Sequence, residues 1–250
     1  MKKLMIAAVA SMAAVSAFAV ESANIVGYTT MDVSANKWYM LAPQFDDVSN
    51  GGSDTIDLLK IMDLEGVTVQ TWANRASATQ IQVYNPASSA YTIYYYTVNN
   101  NVTGWRRNPT PSTSLPVAIG SGVWLKVAEA TDGKIKMAGQ VKSAESVTVN
   151  VGGDGEWTIA SNPYPTALTQ GNMTTTGITE QPWANRAAAS QLQVYNPDTE
   201  SYTIFYYTSG NGGTAWRKSP AAPTSTDVIC PVGSSFWVKS STSGTLTFSL

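Results

Sequence analysis

Histidine is absent from this chain of 250 residues, and cysteine occurs once. The first absence removes histidine-dependent triads, histidine general bases and most zinc sites. The second removes intramolecular disulfides; the setting of Cys230, STDVICPVGSSFWVK, reads as an apolar strand that buries an inert thiol. Charge is scarce as well. Asp, Glu, Lys and Arg supply 13% of the chain, about half the usual share. The 15 basic residues against 17 acidic ones argue against a nucleic-acid surface. There is no Gly-rich phosphate loop, and the longest apolar run falls short of the roughly 18 to 20 residues of a membrane-spanning helix.

That longest run lies at the start, in MKKLMIAAVASMAAVSAFAVES. Lys2 and Lys3 precede it and the small-residue site Ala17-Phe18-Ala19 closes it, the pattern of a secretory signal peptide cleaved near Ala19. Residues 1–19 are therefore expected to be a leader. The mature chain, with 13 basic residues left against 17 acidic, is expected to be extracellular or periplasmic and to have no transmembrane segment. No Cys follows the site to carry a lipid.

A long segment then occurs twice. Trp72 to Pro109 and Trp183 to Pro220 align without a gap, with 23 of 38 positions identical. The match continues outward: KWYMLAP at Lys37 faces EWTIASNP at Glu156, and IGSGVWLK at Ile119 faces VGSSFWVK at Val232. All 8 Trp are then partnered, 38 with 157, 72 with 183, 105 with 216, and 124 with 237. A tandem duplication is the expected origin, with residues 20–142 forming one β-rich lobe and 143–250 the second.

Within each unit, Gln80, Gln82 and Tyr84 alternate with Ile81 and Val83 before an Asn-Pro turn, and YTIYYYT follows. This predicts a hairpin, repeated from Gln191 to Thr208. In the second strand of the hairpin, Tyr91, Ile93 and Tyr95 share one face and Thr92, Tyr94 and Tyr96 the other; one face must line a core. Further strands are expected at Ile25 to Asp32, Trp38 to Leu41, Val67 to Trp72, Val123 to Val127, Gly133 to Met137 and Val147 to Val151. The only helix pattern lies in the first copy, with Ser53 or Asp54 as N-cap and Ile56, Leu59 and Met62 on one face. The expected fold class is all-β: two homologous sandwich- or barrel-like lobes with one short helix.

The residues shared by both copies are the candidates for function. Trp72, Asn74, Arg75, Trp105 and Arg106, with their counterparts Trp183, Asn185, Arg186, Trp216 and Arg217, could bind a ligand: Trp faces cover the apolar face of a sugar ring, and Asn and Arg donate to hydroxyls. The same residues also suit structure, since alternating aromatics fill a sandwich core and Arg stacks on Trp or bonds carbonyls at strand ends. Trp124 and Trp237, in apolar strands, read as core. The acids are not shared: Asp198 and Glu200 face Ala87 and Ser89. Paired-carboxylate chemistry would have to reside in one copy, with Asp154 and Glu156 as its candidates. The acidic loop from Asp46 to Asp54 lacks the register of a calcium loop, so neither metal nor cofactor is expected. Asn101-Val-Thr103 and Asn172-Met-Thr174 match glycosylation sequons.

The opening SANIVGYTTMDVSANKWYMLAPQF, with Gly104-Trp105 and Gly120-Ser121-Gly122-Val123-Trp124, resembles a group of uncharacterised secreted bacterial proteins that begin with an Asn-Ile-Val-Gly-Tyr motif and carry a duplicated β-rich unit. Copy two departs at Ala215 and Ser235. The resemblance implies export and duplication, carries over no catalytic residue and leaves function open. The function expected is that of a non-enzymatic secreted or cell-surface protein with a structural or adhesive role. Its expected partners are polysaccharide, envelope or matrix proteins, or further copies of itself through strand edges. The alternatives are a carbohydrate-binding module with one aromatic site per lobe and, third, a carboxylate-dependent glycoside hydrolase.

Overall fold

A computed structural model describes residues 26–47, 54–210 and 212–250, without the side chains of 131 and 132. The expected leader, Asn24-Ile25 of the opening motif and Ser53 lie outside the described residues. The protein is all-β, with strands in several sheets and few helical turns.

Each half is built around a six-stranded sheet with the same strand order. In the first, Trp38–Leu41, Val123–Lys126, Gln80–Asn85, Ala90–Asn99 and Gln70–Thr71 lie side by side, and Val102–Arg106 also pairs with Ala90–Asn99. In the second, Trp157–Ser161, Ser235–Lys239, Gln191–Asn196, Ser201–Gly210 and Gln181–Pro182 repeat that order, with Gly213–Arg217 on Ser201–Gly210. The registers repeat as well. Trp38 and Trp157 lie opposite Lys126 and Lys239, while Trp124 and Trp237 lie opposite Gln82 and Gln193.

A smaller sheet covers one face of each. Val26–Val33, Ala130–Val141, Phe45–Asp46 and Met62–Val67 form it in the first half; Ser146–Val151, Gly244–Ser249 and Met173–Thr176 form it in the second. The period-two alternation of the strands explains the packing. Leu41, Ile81, Leu125 and Trp105 point from the large sheet onto Val33, Phe45, Ile135 and Met137, with Tyr94 and Tyr96 at the margin. Leu192, Phe236 and Val238 meet Val149, Leu246 and Phe248 in the second half. Each fully buried side chain of this size contributes about 1.5–3 kcal/mol, so each half has its own core. The first half's pairing ends with Ala130–Val141 and the second half's begins with Ser146–Val151.

Two local expectations are revised. Val67 to Trp72 is not one strand. Met62–Val67 pairs with Ala130–Val141, whereas Gln70–Thr71 runs parallel to Ala90–Asn99, so the chain changes sheets between them. Trp72–Ser77 then turns as a 3₁₀ segment, matched by Trp183–Ala188. The helix is a single turn, Leu58–Ile61, and begins later than its sequence pattern suggests. Thr55–Asp57 is drawn into a ribbon with Pro116–Ala118. Asp57 becomes the N-cap because its carboxylate accepts from the backbone N–H groups of Leu59 (3.2 Å) and Leu115 (2.9 Å), tying the turn to a distant loop.

The halves meet reciprocally. Ala42 N donates to Gly233 O at 2.9 Å, and Ser161 N donates to Gly120 O at 2.7 Å. Leu41 bridges Ser234 as Ala160 bridges Ser121. These are corresponding residues exchanged, the pattern of an isologous interface about a two-fold axis. Gly122 lies at that axis, where a Cβ would fall 2.2 Å from the Cβ of its own counterpart, Ser235. Gln44, buried, donates to Tyr164 O at 2.6 Å across the same junction.

Candidate functional site

The large sheet has a second face, turned from the core, and the two outer faces converge where the halves meet. Trp124 contacts Tyr195 edge-on with ring centroids 5.1 Å apart; Tyr84 contacts Trp237 at 5.0 Å. Trp38 stands edge-on to Trp124 (5.8 Å) and Trp157 to Trp237 (5.7 Å). Tyr91 tilts against Tyr84, and Tyr202 against Tyr195, both at 5.2 Å. Edge-on and tilted pairs at these separations are the favoured aromatic arrangements. The cluster is continuous across the junction.

It is also open. Tyr91 and Tyr202 remain 41% and 42% exposed, and the other rings flank two adjoining clefts of about 340 and 290 Å³. Trp38 and Gln82 line the first; Trp157 and Gln193, their counterparts, line the second. Tyr91, Tyr202 and Trp237 line both. Each cleft thus offers ring faces and one side-chain amide that can both donate and accept. The symmetry is incomplete: Lys37 pairs with Glu200 beside Tyr195, while the corresponding positions hold Glu156 and Ser89.

Burial, followed by the nearby phenols of Tyr84 and Tyr202, pushes the Tyr91 hydroxyl above its usual range, against the opposite pull of Trp124. Burial and then Tyr195 do the same to Tyr202, against Trp237. A raised phenol contributes stability that is complete below the unfolded pKa of about 10 and is lost as pH rises through the folded value. Alkaline titration followed by tyrosinate absorbance should therefore show a late-ionising group. In Tyr91→Phe/Tyr202→Phe that group should shrink by two phenols; an unchanged late group would show that these hydroxyls are not the shifted ones.

The residues singled out from sequence fall into two environments. Trp105 and Trp216 are buried, 7% and 2% exposed, and tilt against Tyr96 and Tyr207. Arg106 and Arg217 are buried too. Arg106 donates through Nη2 to Val102 O; Arg217 donates to Gly213 O (2.6 Å) and Ala221 O (3.1 Å). Each guanidinium thus ties its strand to its own neighbourhood. By contrast, Trp72 and Trp183 are half-buried, and Asn74, Arg75, Asn185 and Arg186 are exposed. Arg75 lies 4.8 Å over the Trp72 ring and Arg186 5.0 Å over Trp183, while each Trp stands edge-on to Tyr95 or Tyr206.

No protein-family model, curated protein or solved structure matches the chain.

Trp124 is buried, as its apolar strand suggested, but against the other half rather than within its own core. Trp38, Gln82, Tyr84, Tyr91 and their counterparts were not singled out from sequence as binding residues. Their period-two placement on the Gln80–Gln82–Tyr84 face was the available signal, but only strand order brings the rows together. Of the hydrolase candidates, Asp154 occupies a left-handed turn position (φ 56°), and the carboxylate of Glu156 folds over Gly152. Cys230 is buried, and burial raises its thiol far above the usual range. Asp46 and Asp47 pair with Lys142 and Lys60; residues 48–53 of the acidic loop lie outside the described residues. Asn172 already bonds Thr169 N and Ala167 O, whereas Asn101 is exposed at a turn.

Proposed function

We propose that this is an exported, non-catalytic binding protein whose aromatic cleft between the halves receives a glycan chain. The observation that carries the reading is the partial exposure of a continuous, reciprocal set of Trp and Tyr rings with Gln82 and Gln193 among them. Ring faces suit the apolar faces of pyranoses, and neutral amides suit hydroxyls. A cleft of this size and composition has the character of a ligand site. The absence of histidine, the deeply buried thiol and the turn position of Asp154 support binding over turnover.

A second reading rests on the edge-on contacts of the same rings across the junction. They join the halves into one body, which suits a structural protein of a surface or matrix. Affinity electrophoresis of the full chain through soluble polysaccharides separates the two. Retardation by one glycan should be lost in Trp38→Ala/Trp157→Ala, by about tenfold or more for two stacking rings, with the circular dichroism spectrum unchanged. A chain that no glycan retards would leave the rings as junction glue and favour the structural reading.

A further inference from the structure

The cleft is only the middle of a longer aromatic track, and the track carries positive charge. Along the outer face of the first half, ladder partners run from Trp38 through Lys126 and Gln80 to Tyr95. Trp72 stands edge-on to Tyr95, with the Arg75 guanidinium over its ring. Three strand spacings carry this row on the order of 14 Å from Trp38 to Tyr95. The second half repeats it through Trp157, Lys239, Gln191 and Tyr206 to Trp183, whose ring carries Arg186.

Four cations thus lie on the two rows, each over a Trp ring: Arg75, Lys126, Arg186 and Lys239 at 4.8, 5.8, 5.0 and 5.7 Å. Among the described residues none of the four forms an ion pair, whereas Lys37, Lys60, Lys136 and Lys142 each do. At the track's margins Glu200 pairs with Lys37 beside Tyr195, and Asp154 lines a hollow with Lys239. Neither row contains an Asp or Glu, in a chain where acids outnumber bases. All four cations recur in both halves and the acids do not. A structural role for stacking requires one charge per Trp, but it does not require that carboxylates be absent from both rows.

We infer that the ligand is an anionic glycan, whose acidic groups meet Arg75, Lys126, Arg186 and Lys239 while its rings rest on the neighbouring aromatics. The inference rests on the glycan reading of the cleft and deepens it to a ligand class. The test compares polygalacturonate, its neutral methyl ester and dextran sulfate as ligands of the full chain by calorimetric titration. Four exposed ion pairs of ordinary strength should favour polygalacturonate over the ester by about tenfold or more, with the advantage narrowing at high salt. Dextran sulfate bound more tightly than polygalacturonate would identify sulfate rather than carboxylate as the anion. In Arg75→Gln/Lys126→Gln/Arg186→Gln/Lys239→Gln, affinity for the acid polymer should fall to that for the ester; an undiminished preference would overturn the assignment to these residues. The unmutated protein already decides the ligand class. Equal affinity for acid and ester, or binding of none of the three polymers, overturns the inference, while the cleft reading falls only if the electrophoretic panel also finds no glycan that retards the chain.

Discussion

Trp124→Ala destabilises the protein by about 3–5 kcal/mol, the range for removing a large buried aromatic, and Trp237→Ala costs at least about 1 kcal/mol less. The two side chains occupy corresponding positions and make corresponding contacts: each stands edge-on to a Trp of its own sheet and to a Tyr of the other half. They differ in burial. Trp124 is 7% exposed, whereas Trp237 is only half-buried and borders both clefts. Truncating Trp124 therefore leaves a cavity at the junction, while truncating Trp237 enlarges an opening that water already reaches. Urea unfolding of the two variants measures the difference. Equal losses would show that the two rings are equivalently buried in solution and that the asymmetry of the junction is immaterial.

Gly122→Val is expected to cost about 3 kcal/mol, overpacking at the upper end of its usual range, and to lower Tm by about 6–12 °C for a chain of this size. Backbone freedom is not the cause. A Cβ at this position would lie 2.2 Å from the Cβ of Ser235 and 2.8 Å from Cγ2 of Ile159, both in the other half. The same geometry explains why the second half carries Ser where the first has Gly. On a two-fold axis a residue meets its own counterpart, so only one of the two can have a side chain. Exchanging them, Gly122→Ser with Ser235→Gly, should recover at least half of what Gly122→Ser alone loses. Calorimetric scans of the three variants test this, and an additive loss in the exchange would show that the two residues do not face each other.

Much of the secondary structure was legible because short-range physics specifies it. Gln80 to Tyr84 and Tyr91 to Thr97 alternate at period two, and Asn85-Pro86 breaks them, so their hairpin follows without tertiary information. Trp38 to Leu41 was read to the residue for the same reason. Where the reading erred, a distant partner intervened. Thr55–Asp57 left the helical pattern because Pro116–Ala118 offered it a strand, and Asp57 became a cap because Leu115 shares its carboxylate. The 3₁₀ turn at Trp72 arises where the chain passes from one sheet to the other, a crossing that local pattern does not encode.

The shared residues behaved in the same way. Repetition marks what both halves hold in common, but Arg75 and Arg106 are repeated equally well. One lies exposed on a Trp face, and the other is buried against the Val102 carbonyl of its own strand. Burial separates them, and burial depends on which sheet face the core occupies.

By itself the sequence determined that the chain is all-β, that its halves speak in nearly the same words, and where its strands alternate and turn, since side-chain alternation and turn chemistry act within a few residues. Tertiary structure alone decided that Tyr91, Trp124 and Gln82 should meet Tyr202, Trp237 and Gln193 in one cleft. That meeting depends on strand order within each sheet and on reciprocal packing at Gly122 and Ser235, contacts between residues more than a hundred positions apart that no local pattern records.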